Sequence, residues 1–147
     1  MLFVDASVIV AILAQEDDAA FLIDRLEQAG GPFYVSPVVR VEATLSLTRR
    51  LAEARGKDKP ATPDMMEAAS RMVDQFAADL DCKDAVISAD VGSRTLDAAQ
   101  RYGKIMNHPA KLNMGDCFAY ACAEAYGLKI AFKGDDFVHT DLGWQNH

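Results

Sequence analysis

Leu2-Phe3-Val4-Asp5-Ala6-Ser7-Val8-Ile9-Val10-Ala11-Ile12-Leu13 opens the chain as an apolar run interrupted at Asp5 and Ser7. A short apolar stretch ending on an acid, with a longer Val, Ile, Leu and Ala segment behind it, has the pattern of a buried strand feeding a packed helix. The alternation repeats outward. A helix is expected from about Asp17 to Gln28, stopped by Gly30-Gly31-Pro32, and a second strand over Phe33 to Val35. Ser36-Pro37 reads as a helix N-cap with proline in the first turn, and Val38, Val41 and Leu45 recur behind it at helical spacing. After a loop from Gly56 to Pro63, Met65, Ala69, Met72, Val73, Phe76 and Leu80 form another helical stripe, its methionines read as core filler. Ala85 to Ser88 is expected as a third strand. From Asp90 a helix follows, with Val91, Thr95, Ala98 and Tyr102 inward and Asp97 in solvent. A loop from Gly103 to Gly115, a helix from about Asp116 to Ala125 and a strand from Leu128 to Phe132 complete the series. Strands interleaved with helices predict an α/β sandwich with a mostly parallel sheet.

The 147 residues, 50% apolar and 25% charged, fit one domain over residues 1–147. No apolar run reaches the roughly 18 residues of a membrane span, and no basic leader precedes Leu2, so a cytoplasmic protein is expected. Cys82, Cys117 and Cys122 have neither zinc spacing nor an even count, which predicts reduced thiols. A net charge of −7 opposes non-specific nucleic-acid binding, unless the acids surround cations that reverse the local sign. Nucleotide-binding glycine motifs, H-E-x-x-H and G-x-S-x-G are absent from the sequence, and His108, His139 and His147 read as surface side chains.

The informative carboxylates are those the apolar pattern draws inward, because an unpaired buried charge is costly. Asp5 closes the first strand, where open α/β sheets place their ligands; capping the next helix is the alternative. Glu42 falls between Val38 and Leu45 on the stripe expected to face the sheet, and there it needs a cation or dense hydrogen bonding; reaching water or Arg49 and Arg50 is the alternative. Asp116 begins a helix apolar on nearly all sides, with capping again the alternative. Oxygen ligands converging from separate elements suit magnesium or manganese. Asp135, Asp136 and Asp141 offer a fourth acid just past a strand end, with Asp135 favoured.

Phe3-Val4-Asp5-Ala6-Ser7, Glu42, Leu112-Asn113-Met114-Gly115-Asp116-Cys117-Phe118-Ala119-Tyr120-Ala121 and Phe132-Lys133-Gly134-Asp135-Asp136-Phe137 with Thr140-Asp141 resemble, in order and spacing, the PIN-domain VapC toxins of bacterial toxin–antitoxin pairs. The resemblance implies a PIN-like three-layer sandwich and an Mg2+-dependent endoribonuclease (Mn2+ serving too), usually a homodimer, restrained by a small VapB-like antitoxin whose tail covers the site. It makes Asp5 and Asp116 the principal metal ligands, Glu42 the third acid, Asp135 the less secure fourth, and Ser7 the hydroxyl that orients Asp5 or a water. Asn113 lies in the matching stretch, where helix capping explains it equally well. The expected reaction is hydrolysis of RNA phosphodiesters by metal-activated water, with Arg40, Arg49, Arg50, Lys111 and Lys133 as candidate phosphate contacts. Two rivals are a catalytically weak PIN-like binding module, against which the full set of acids speaks, and a haloacid-dehalogenase-like phosphohydrolase using Asp5, disfavoured by Ser7 in place of that family's second acid.

Overall fold

The computed structural model describes residues 1–145; His147 lies outside them. Strand β1 (Leu2–Val4) leads into helix α1 (Ala6–Leu13), as the opening run predicts. Several β-branched residues make α1 a poor helix by propensity, at about 0.5 kcal/mol each. Burial of Val8, Ile9 and Val10, worth about 1.5 to 3 kcal/mol per side chain, outweighs this. Helix α2 (Ala19–Ala29) buries Leu22 and Leu26 and ends at Gly30, whose φ of 76° is the left-handed geometry a helix stop requires.

Strand β2 (Phe33–Val35) passes to α3 (Pro37–Glu53) through Ser36, whose hydroxyl accepts from Val39 N–H at 3.1 Å. The stripe expected on α3 is displaced. Val39, Ala43 and Leu47 are buried, whereas Val41 is 56% and Leu45 40% exposed. Both sets have helical spacing, and the packing of α3 against its neighbours α1 and α4 selects the one that faces inward.

Helix α4 (Pro63–Asp79), capped by Thr62, buries Ala69, Val73 and Phe76 as expected, with Met65, Met72 and Leu80 at the margin. Strand β3 is only Lys83–Asp84, earlier than the Ala85 to Ser88 expected. Its partner β2 becomes helix at Pro37, so beyond the bond from Ala85 N–H to Val35 C=O, at 2.7 Å, no neighbouring backbone remains to pair with Val86 and Ile87. Ser88 instead caps α5 (Ala89–Tyr102), which buries Val91, Thr95 and Ala98 and leaves Asp97 exposed beside Arg101.

Helix α6 (Met114–Tyr126) begins two residues before the expected start because Asn113 caps it, and β4 (Lys129–Ala131) follows. The sheet order is β3-β2-β1-β4 with every pairing parallel. Right-handed crossovers place α1 to α4, which pack on one another, over one face and the α5–α6 pair over the other. The result is the three-layer α/β sandwich.

After β4 the chain makes a short 3-10 turn (Asp136–His139) and returns along the outer side of β4. Ile130 N–H bonds Leu142 C=O and Trp144 N–H bonds Ile130 C=O, both at 2.8 Å. The Trp144 indole is buried, donates to Phe132 C=O at 2.9 Å, and lies under the Arg25 guanidinium at 3.7 Å. This tail lies beyond the last element that the hydrophobic pattern marks, the strand from Leu128 to Phe132. His108 departs from expectation too: half-buried, it packs edge-on against Tyr102 and its Nδ1 accepts from Ala110 N–H at 3.0 Å.

Candidate metal centre

Parallel pairing gathers the carboxyl ends of β1, β2 and β4 at one rim, and the acids meet there. Asp5 follows β1 as the N-cap of α1 and is 6% exposed; its Oδ2 accepts from Ser7 N–H at 3.1 Å and Ser7 Oγ–H at 2.6 Å. Ser7 Oγ accepts in turn from Lys133 N–H at 3.0 Å, tying the loop after β4 to the end of β1. The capping alternative for Asp5 is thus realised through Oδ2, which leaves Oδ1 free of the cap. Burial pushes its carboxyl up, Ser7 and Ala6 pull it back, and the charge of Asp136 pushes it up again.

Asp116, 8% exposed, is the third residue of α6, where its Oδ2 accepts from Asn113 N–H at 3.1 Å while Asn113 Oδ1 accepts from Asp116 N–H at 2.8 Å. Asn113 and Asp116 thus form a reciprocal capping box. Its pKa rises to about 7, chiefly through burial, with Asn113 N–H opposing and the charges of Asp5, Asp136 and Glu42 adding.

Glu42 reaches the rim from the flank of α3, and not through the Val38/Val41/Leu45 stripe by which the sequence placed it. Its Oε1 is buried without a hydrogen-bond partner, and its pKa rises to about 7 through burial and the charge of Asp5. The carboxylate lies against the first turn of α6, so close that a Cβ on Gly115 would stand 2.0 Å from Oε2.

Of the three candidates for a fourth acid, one acts electrostatically on Asp5 and Asp116. Asp136 is the acid of the 135–136 pair whose charge raises Asp5 and Asp116, while Asp135 precedes the 3-10 turn without capping it. Asp141 is elsewhere. Its Oδ1 accepts from Tyr120 O–H at 2.6 Å and its backbone C=O from Lys129 Nζ at 2.7 Å, which places it at the start of β4, and the Tyr120 bond holds its carboxyl below the usual range.

Beside the acids lies a cleft of about 550 Å3, lined by Ser7, Glu16, Glu42, Arg49, Arg50 and Lys133 among others. Glu16 binds Arg50 at 2.7 Å and Lys133 at 2.6 Å, and Lys133 also reaches Asp18 at 2.9 Å. Arg49 lines the same wall with no ion pair among the described residues. Arg40 faces away, bound to Asp74 and Asp84 at 3.1 and 3.0 Å, and Lys111 is exposed in a turn at φ 51°.

Among the described residues no group of three or more histidine, cysteine, aspartate or glutamate side chains is placed so that together they could hold a metal ion. Magnesium does not need such a cage: it keeps several waters and commonly takes only one or two carboxylates from the protein. Buried acids that raise one another, with a stranded Glu42 oxygen among them, call for positive charge that no side chain among the described residues supplies. The donor set is all oxygen, which suits Mg2+ or Mn2+.

The PIN domain family matches residues 2–142. A VapC ribonuclease of Rhizobium meliloti (strain 1021) is 48% identical to the chain over 144 residues, covering 97% of this chain and 100% of that protein. Ribonuclease VapC42 of Mycobacterium tuberculosis (strain ATCC 25618 / H37Rv) is 34% identical over 141 residues, 96% of each. Among solved structures, the crystal structure of Mycobacterium tuberculosis VapC20, titled a sarcin-ricin loop cleaving toxin, superposes with a TM-score of 0.68 over 97% of this chain and 96% of that one; at 16% identity the likeness is one of fold.

Proposed function

The chain belongs to the PIN-domain family, and from that premise we propose that it is a metal-dependent endoribonuclease, the toxin of a toxin–antitoxin pair. The observation that carries the metal-dependent chemistry is the buried Glu42 Oε1 left without a partner among mutually repelling carboxylates. Asp5 and Asp116 each commit one oxygen to backbone N–H groups, which holds the other in place for Mg2+ or Mn2+. Ser7 locks the Asp5 rotamer. Glu42 binds the cation or orders the attacking water, and Asp136, in place of Asp135, is the fourth acid. A bound divalent ion supplies an acidified water and charge neutralisation at the phosphate, so no side-chain nucleophile is required.

The cleft gives RNA an approach. Arg49, Arg50 and Lys133 set cations along its wall, where they contact phosphates flanking the scissile bond. The same negative rim suits a basic tail from a VapB-like antitoxin, which blocks the site by occupying the cations' place. Exposed Leu96, Ile105 and Met114 around the α5–α6 groove support self-association as a homodimer. Among the described residues no helix is long and apolar enough to cross a membrane.

The purified protein should cut RNA with Mg2+ or Mn2+ and stop with EDTA, and Asp5→Asn should lower the rate by about 10²- to 10⁴-fold with its circular dichroism unchanged. An Asp5→Asn protein that cuts as fast as its parent would sink the proposal.

A further inference from the structure

Glycines that resist substitution in this chain do so for different reasons. At Gly103 a Cβ would lie 2.3 Å from the Ala99 carbonyl oxygen, and at Gly143 it would lie 2.7 Å from that of Phe137. Backbone cannot step aside, so those two serve the fold. Gly115 is another case. It has ordinary helical geometry in the first turn of α6, which alanine fits at least as well as glycine. The three atoms nearest its Cβ position all belong to Glu42: Oε2 at 2.0 Å, Cδ at 2.4 Å and Oε1 at 2.7 Å. The space that a side chain at 115 would fill is filled by the carboxylate of another helix.

We infer that Gly115 is a positioning residue for Glu42, its missing side chain forming the seat that holds the carboxylate against α6 and presents Oε1 to the cation. The consequence for catalysis rests on the ribonuclease reading; the seat itself does not. Because the colliding atoms are the tip of a flexible side chain, a methyl group at 115 displaces Glu42 and spares the fold. Oε1 then leaves its place beside Asp116 and Asp5, with which it would hold a cation when one is bound.

The experiment compares Gly115→Ala, Glu42→Asp, Glu42→Ala and the combinations of Gly115→Ala with each, reading Mn2+ affinity by calorimetry or electron paramagnetic resonance alongside RNA cleavage. Gly115→Ala should keep the parent's circular dichroism, bind Mn2+ about 10- to 100-fold more weakly, and lose kcat by a similar factor with KM for RNA little changed. Adding Glu42→Asp, one methylene shorter, should recover part of the Mn2+ affinity, although Glu42→Asp alone weakens it. In the Glu42→Ala protein, where the seat is vacant, Gly115→Ala should leave Mn2+ affinity unchanged.

Parental Mn2+ affinity in Gly115→Ala, or an equal loss on the Glu42→Ala background, overturns the inference. If Gly115→Ala does not fold, the Glu42→Ala/Gly115→Ala double variant decides: folding of the double variant supports the seat, and failure of both rejects it. A parent that binds Mn2+ but cuts no RNA overturns the ribonuclease reading alone, and the Mn2+ comparison still decides the role of Gly115.

Discussion

Glu16 and Glu42 line one cleft, and their surroundings act on them in opposite directions. Glu16 receives Lys133 and Arg50, and the Lys133 hydrogen bond above all holds its carboxyl below the usual range. Glu42 receives nothing at Oε1, and burial beside Asp5 lifts it to about 7. The difference separates two uses of the same side chain. A carboxylate given partners is part of the architecture, here joining the segment after α1 to α3 and to the loop after β4. A buried carboxylate denied partners costs stability, and such costs gather at functional sites.

The sharpest way to break this contrast is Asp116→Asn. The amide oxygen can still accept from Asn113 N–H, so the cap survives while a repelling charge disappears. RNA cleavage should fall by about 10³-fold while the melting temperature in EDTA stays level or rises. A large drop in melting temperature would show that the cluster is architectural in the way Glu16 is.

Titration gives the next largest effect. Glu42 and Asp116 stand at about 7 in the folded chain against ordinary values of 4.5 and 3.8. Below about pH 4 these groups are protonated in both states and their contribution is fully present. As pH rises toward 7 the unfolded chain releases their protons first, so folded stability falls across that window, and above it the repulsion is complete. Mn2+ should therefore raise the melting temperature more at pH 8 than at pH 5. At a hundredfold excess over its Kd the gain at pH 8 should be about 2.7 kcal/mol. An equal Mn2+ shift at both pH values would remove the acids from the metal centre.

Glu16→Gln should have the smallest effect. Its partners are half exposed, so the stability loss should be about 1 kcal/mol or less by denaturant titration. Released from Glu16, Arg50 should lose its fixed place on the cleft wall while Asp18 still holds Lys133, and KM for RNA should rise a few-fold with kcat retained. A fall in kcat as large as that of Asp116→Asn would give Glu16 the role proposed for Asp5, Glu42 and Asp116 and erase the contrast.

Much of this was legible in the sequence where one local rule acts alone. Leu2-Phe3-Val4 ending on Asp5, Ser36-Pro37 starting α3, and the apolar run after Asp116 each name an element and its polar end without help from the rest of the chain. The readings that shifted depended on a neighbour. Val41 and Leu45 have the same period as Val39, Ala43 and Leu47, and only the packing against α1 and α4 decides which set faces inward. Val86 and Ile87 have strand composition but no strand beside them. Asp141 follows the expected strand end as Asp136 does, yet the chain has by then turned back, and Tyr120 claims it. Gly115 carried no signal beyond preceding Asp116, because what makes it matter is a glutamate on another helix.

The returning tail has a consequence for how the protein behaves in company. Segment 142–144 occupies Ile130 N–H and C=O on the outer side of β4, and the Trp144 indole holds it there. The opposite edge, β3, is two residues long and carries Lys83 and Asp84, both exposed. A sheet sealed on one side by its own chain and ending on the other in a short charged strand gives foreign strands little to extend. Cutting the chain before Leu142 would uncover β4 beside Phe132 and favour edge-to-edge aggregation.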